Sequence, residues 1–202
     1  MQTTPTINIK VIVGSTRKNR FSEKPAAWIL EETKNREGVE AELLDLRDYP
    51  LPFFEEAVSP TRFNGKYPSE LVEKWSKKVA EGDAYIVVTP EYSHGYPAVL
   101  KNAFDYVYAE WNNKPVGFVS YGGVAGARAV EQLRLVAIEL QMAPIRNAVH
   151  IPVQVFLAAR NVESPVDPQL FEPVKKHAEG FLDQLLWWAR ALKAAREIKV
   201  NV

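Results

Sequence analysis

Three short apolar runs, Ile7 to Val13, Ala84 to Thr89 and Pro115 to Tyr121, recur along the chain with helix-like segments between them. Runs that are apolar on both faces belong to strands covered on both sides, and strands separated by helices are joined by crossovers and therefore run parallel. Val39 to Leu46 reads as a second strand, and a fifth, less cleanly marked, falls within 141–151. The expected architecture is an α/β fold of one domain over residues 1–202: a doubly wound, five-stranded parallel sheet in the order 2-1-3-4-5 with helices on both faces. Such sheets bind ligands past the carboxyl ends of the strands, near the switch between the first and third.

The helices follow from spacing. Residues 22–36 read as a helix entered through a hydroxyl cap at Ser22. Ser69 to Glu81 places Leu71, Val72, Trp75 and Val79 on one side, and after Pro97 the series Leu100, Ala103, Phe104, Val107 is a buried stripe that leaves Lys101 and Asn102 on the helix surface. Val130, Leu133, Ala137 and Leu140 mark another helix. The last, about 168–195, sets Phe171, Val174, Ala178, Phe181, Leu185, Trp188 and Leu192 at alternating gaps of three and four. It reads as a helix lying on the sheet, with a subunit seam as the alternative. Arg47 to Ser69 has no clear period and reads as a surface excursion whose Tyr49, Phe53 and Phe54 either overhang a ligand or pack on the fold. Ser164 to Pro168 is a connector.

Composition removes several functions. Lys plus Arg and Asp plus Glu both number 25, so no net charge draws the chain to nucleic acid or to an anionic membrane. There is no cysteine, which excludes disulfides, thiolate metal sites and cysteine nucleophiles. The three histidines are scattered, so no metal site is expected; His150 and His177 read as structural. The first ten residues lack a signal-peptide pattern and no run approaches a bilayer span, so a soluble cytoplasmic protein is expected.

Chemistry concentrates in three loops that follow strands. Gly14-Ser15-Thr16-Arg17-Lys18-Asn19-Arg20-Phe21-Ser22 combines hydroxyls, two guanidinium groups and a helix start, the donors that a phosphate monoester needs. A polar turn capped by Ser22 is the alternative. Neither Gly-x-x-x-x-Gly-Lys-Ser/Thr nor Gly-x-Gly-x-x-Gly is present, which argues against a P-loop and against a dinucleotide held in the Rossmann manner. Thr89-Pro90-Glu91-Tyr92-Ser93-His94-Gly95-Tyr96-Pro97 can bend around a flat ring, while Glu91 and His94 also read as ordinary solvated loop residues. Ser120-Tyr121-Gly122-Gly123-Val124-Ala125-Gly126 lets backbone amides approach a ligand, or serves as a flexible helix entry. Together the loops point to a flavin mononucleotide.

From about Ile7 to Ile151 the chain resembles the NADPH-dependent FMN reductase family, a flavodoxin-like group of flavin, azo-dye, quinone and chromate reductases. The resemblance rests on G-S-T-R-x-x-R-x-S after the first strand, T-P-E-Y after the third, and P-x-x-L-K-N-A-x-D at Pro97, Leu100, Lys101, Asn102, Ala103 and Asp105. It implies FMN as cofactor and NADPH or NADH as hydride donor. Ser15, Thr16, Arg17, Arg20, Phe21 and Ser22 are expected at the FMN phosphate. Pro90, Glu91, Tyr92, Ser93 and His94 are expected along the ring, and Tyr121, Gly122 and Gly123 at its other edge. No side chain is nominated as catalytic acid or base, because the flavin carries the chemistry. The resemblance also implies a small-molecule electron acceptor and a homodimer or homotetramer. Ser93 stands where the family usually has Asn, and Ala98 where it has Gly. A flavin-binding electron carrier is the alternative, against which the balanced charge argues.

Overall fold

The computed structural model describes residues 5–63, 65–67, 69–162 and 167–198. Most of the connector at Ser164 to Pro168 and the first residues of the chain lie outside them. The strands are β1 (Ile7–Val13), β2 (Val39–Asp45), β3 (Ala84–Pro90), β4 (Pro115–Tyr121), β5 (Ala143–Pro144) and β6 (Val149–Ile151). The helices are α1 (Glu23–Lys34), α2 (Glu70–Ala80), α3 (Ala98–Asp105), α4 (Ala127–Glu139), α5 (Val153–Ala159) and α6 (Glu172–Glu197). All pairings in the sheet are parallel, in the order β2-β1-β3-β4-β5, with β6 also on β4. The expected flavodoxin-like order is the one observed.

The fifth strand is two pieces. Ala143 and Pro144 pair with the start of β4 and Val149 to Ile151 with its end, and the chain between them leaves the ladder. Pro144 cannot donate to a ladder, which suits a strand that breaks there.

Because β1, β3 and β4 are buried along nearly their whole length, alternate residues feed two cores. One face packs Val11, Val13, Ile86 and Val88 against Trp28, Ile29, Phe181 and Leu185 of α1 and α6. The other packs Ile12, Tyr85, Val87 and Phe118 against Trp75, Leu100 and Leu133 of α2, α3 and α4. The last helix thus lies on the sheet: a Cβ at Gly117 would run into the Phe181 ring. Its apolar seam turns outward toward the end, where Trp188 is half-exposed and Trp187 is 65% exposed.

The excursion after β2 packs on the fold. Tyr49 lies against Trp75 at 5.0 Å and Phe54 meets Tyr106 edge-on at 5.3 Å, whereas Phe53 is exposed. Asn102 holds it down: its Oδ1 accepts from the Phe54 amide at 2.9 Å and its Nδ2 donates to the Pro52 carbonyl at 2.7 Å. The surface position expected for Asn102 is therefore corrected, since the side chain is buried beneath the excursion.

Candidate active site

The carboxyl ends of β1, β3 and β4 open into a cleft of about 590 Å³. Nine of the fourteen residues read as ligand-binding line it: Arg17, Arg20, Phe21, Pro90, Glu91, Tyr92, Tyr121, Gly122 and Gly123. Ser15, Thr16, Ser22, Ser93 and His94 do not. Lys18, Asn19, Phe156, Arg160 and Asn161 complete the wall. The last three come from α5 and the turn after it, a helix the sequence reading lacks.

At the first loop, the Gly14 amide donates to the Val88 carbonyl at 2.8 Å, and a Cβ at Gly14 would come 2.9 Å from that oxygen. Glycine lets the backbone cross β3 this closely. Ser15 is buried beyond it, its hydroxyl 2.9 Å from that of Tyr92, which ties the first loop to the second.

The two arginines of this loop have different work. Arg20 Nε donates to Glu23 at 2.9 Å, its two terminal nitrogens grip Asp45 as a bidentate pair, one of them at 2.8 Å, and one also reaches the Ser15 carbonyl. Four hydrogen bonds leave one of five N–H groups for anything else. Burial pushes the Asp45 carboxyl up, but the hydrogen bonds and charge of Arg20 and the Arg47 amide hold it below its ordinary value. Arg20 is thus a brace that fixes the loop to β2 while also lining the cleft. Arg17 and Lys18 are exposed at the cleft and face no carboxylate among the described residues.

Ser22 departs from expectation as well. At φ −50°, ψ −31° it is already helical and its side chain caps nothing. Its hydroxyl lies 2.7 Å from that of Tyr121, at the base of the cleft. There Phe21 meets Tyr121 edge-on at 4.8 Å and Phe156 at 4.9 Å, an aromatic floor built from three separate elements.

The second loop is a two-residue turn. Tyr92 and Gly95 exchange both backbone hydrogen bonds, at 2.8 and 2.9 Å, around Ser93 at φ +50° and His94 at φ +68°. Two successive left-handed residues in a tight hairpin are the setting that favours Asn and Gly. The turn carries Ser93 and His94 away from the cleft, and His94 Nε2 lies 2.9 Å from an Arg128 nitrogen.

Glu91, read as a ring contact or a solvated carboxylate, lines the cleft but its carboxylate is not solvated. Its side chain is 4% exposed and is held by the Arg128 guanidinium, at 2.6 Å from Nε, and by the Arg128 amide at the start of α4. Burial pushes its carboxyl up, yet the Arg128 hydrogen bonds and charge bring it below the ordinary glutamate value. Only its backbone side is free to border the cleft. Arg128 carries no motif, and its role is visible only once α4 is laid beside β3.

The third loop closes the site. Gly122 sits at φ +149°, and a Cβ there would come 3.1 Å from that of Glu91. At Gly123 an added Cβ would meet nothing within 4 Å, so this stretch faces open space. Beneath it, the Ser120 hydroxyl donates to the Ala125 carbonyl at 2.8 Å and pairs with His150 Nδ1 at 2.8 Å.

A doubly wound sheet whose switch-point cleft has exposed cations on one loop, an aromatic floor and two bare backbone walls defines a flavodoxin-like protein. The model of the NADPH-dependent FMN reductase family matches residues 7–155, and the chain belongs to that family. It is 38% identical over 165 residues to an NAD(P)H-dependent FMN reductase of Schizosaccharomyces pombe, covering 81% of this chain and 80% of the relative. It is 35% identical over 157 residues to one of Saccharomyces cerevisiae, covering 73% and 82%. An NAD(P)H:quinone oxidoreductase of Solanum tuberosum is 31% identical over 70% of this chain and 73% of its own. The flavoenzyme NAD(P)H:acceptor oxidoreductase of Paracoccus denitrificans shares the fold, with a TM-score of 0.66 at 22% identity over 90% of this chain and 98% of that one.

Proposed function

We propose that the cleft binds FMN and that the protein is an FMN-dependent NAD(P)H oxidoreductase, passing electrons to quinone, azo or similar small acceptors. The carrying observation is the convergence of the three loops on one cleft, with cations at one of its walls that no carboxylate among the described residues neutralises. Its volume suits a ligand of nucleotide size, in the roughly 300–1,000 Å³ range of such sites. The family membership and the reductases among the relatives support the same reading.

The residues fit the group. Arg17 and Lys18 supply charge for the phosphate, and backbone amides at the start of α1 add donors. Pro90 to Tyr92 and Tyr121 to Gly123 offer backbone along a flat ring. The aromatic floor of Phe21, Tyr121 and Phe156 keeps water from beneath it, and the Glu91–Arg128 pair fixes the two walls. When bound, FMN supplies a ring that accepts hydride from NAD(P)H and hands electrons on, so the protein's task is to hold and orient it.

The chain is proposed to act as one flavodoxin-like domain in the cytoplasm; no helix among the described residues is long and apolar enough to cross a membrane. A homodimer or homotetramer is supported by Leu135 and Ile138, one helical turn apart on α4 and largely exposed.

The test is the visible spectrum of protein mixed with FMN and desalted, recorded before and after anaerobic NADPH or NADH. Retained flavin peaks that bleach are expected. Peaks that persist under both nucleotides would remove the reductase reading. Arg17→Ala should weaken FMN binding by about 10- to 100-fold, the worth of one charge-assisted phosphate contact, with the apoprotein melting unchanged.

A further inference from the structure

About half of the described Lys and Arg side chains reach a carboxylate, Lys10, Arg36, Lys78, Arg128 and Lys193 among them. Arg17, Lys18 and Arg160 gather at the candidate active site without one. A second hollow also gathers cations of this kind. It has a volume of about 470 Å³, lies between the β5–β6 connection and α6, and is lined by Arg146, His150, Lys176 and His177 together with Asn147, Ala148 and Gly180. No carboxylate lines it, and Arg146 and Lys176 form no ion pair among the described residues. It shares no residue with the active-site cleft.

Its walls are built rather than incidental. Arg134 donates to the Ile145 and Arg146 carbonyls, the latter at 2.9 Å, which stiffens the rim from behind. Asn147 staples the rim to α6: its Nδ2 donates to the Gly180 carbonyl at 3.0 Å and its amide to Gln184 Oε1 at 2.8 Å. Arg146 therefore stands on a fixed loop.

Gly180 is an independent sign. It lies inside α6, where glycine is the poorest residue after proline, yet an added Cβ would meet nothing within 4 Å. Packing does not require a glycine there. What it does is keep the helical wall of the hollow bare.

We propose that this hollow is a second ligand site, which binds a phosphate-bearing small molecule of nucleotide size. Arg146 offers a planar fork for phosphate oxygens and Lys176 a point charge. His177 adds a ring nitrogen, and the bare stretch at Gly180 leaves room for the rest of the ligand beside the helix. The volume falls in the range of small-molecule sites. The proposal stands on these residues alone and does not depend on the reading of the active site.

Calorimetric titration with ADP, in the presence of saturating FMN and at low ionic strength, tests it. One ADP per chain is expected. The double variant Arg146→Gln, Lys176→Gln should bind at least ~10-fold more weakly, because both charged contacts are lost. Gly180→Leu should weaken binding as strongly while melting no lower than wild type, which separates a filled site from a failed fold. Arg17→Ala should leave ADP binding unchanged. Absence of ADP binding, binding untouched by both groove variants, or loss of binding in Arg17→Ala would overturn the proposal. So would tighter binding of a hexaglutamate peptide than of ADP, which would make the hollow a protein-docking site.

Discussion

Arg17 and Arg20 stand three residues apart in one loop, and the structure gives them separate consequences. Arg20→Gln removes a side chain that is 1% exposed and leaves Asp45 without its bidentate partner. Stripping one member from a buried ion pair costs about 3–5 kcal/mol. Asp45 and Glu23 are 22% and 48% exposed and recover some hydration, which brings the expected loss to about 2–4 kcal/mol. For a chain of 202 residues that is a fall in Tm of about 4–16 °C at pH 7. The pH dependence carries the signature. Asp45 is held below its ordinary pKa in the folded state, so its stabilisation is present above the unfolded value of about 3.9 and is lost as pH falls through the folded one. The gap between wild type and Arg20→Gln should therefore be full at neutral pH and close below about pH 4. Thermal melts of the FMN-free proteins across pH, with Asp45→Asn completing a double-mutant cycle, provide the assay. A variant that melts like wild type but loses FMN affinity by two orders of magnitude would show that Arg20 serves a phosphate after all.

Ser93→Asn should raise stability by about 0.5–1 kcal/mol, because Asn tolerates the left-handed backbone at φ +50° better than Ser; a lower Tm would contradict the turn assignment. Asn102→Ala leaves the Phe54 amide and Pro52 carbonyl unpaired, should cost about 1–3 kcal/mol, and should speed tryptic cutting at Arg62 in limited proteolysis. Lys114 donates to the Ala80 carbonyl at 3.0 Å and to the Tyr85 hydroxyl at 3.1 Å, and burial, with help from Arg196, pushes its pKa down to about 8. The unfolded chain then binds more protons between about pH 8 and 10.4, so stability should rise across that window by up to about 3 kcal/mol. Denaturant melts of Lys114→Met should show that rise flattened. Above about pH 10 it should reverse, as Tyr85 and Tyr121, whose pKa values burial raises, are forced to ionise.

What was legible in the sequence was whatever depends on neighbours along the chain. The apolar runs of β1, β3 and β4 identify a sheet covered on both faces, and the loops after them had to meet at its carboxyl edge. Side-chain duty was not legible, because it is set by partners far off in sequence. Arg20 and Arg17 look alike until Asp45, on the neighbouring strand, claims one of them. Glu91 looks like a loop carboxylate until Arg128 arrives from α4, and Ser22 looks like a cap until Tyr121 takes its hydroxyl. Helix α5 was missed for a local reason: Val153-Gln-Val-Phe alternates as a strand would, and follows Pro152 directly. Its loss hid Phe156, Arg160 and Asn161 from the reading of the cleft.

The buried Glu91 carboxylate bolts the loop after β3 to the first turn of α4, and the Glu91 amide donates to the Tyr121 carbonyl at 3.0 Å besides. Two of the three walls are therefore one part. Anyone grafting a relative's loop to alter acceptor choice would have to transplant Pro90 to Gly95 and Gly122 to Arg128 as a matched cassette. The wall formed by α5 is not held by this bolt, and it is where the cleft can be recut one residue at a time.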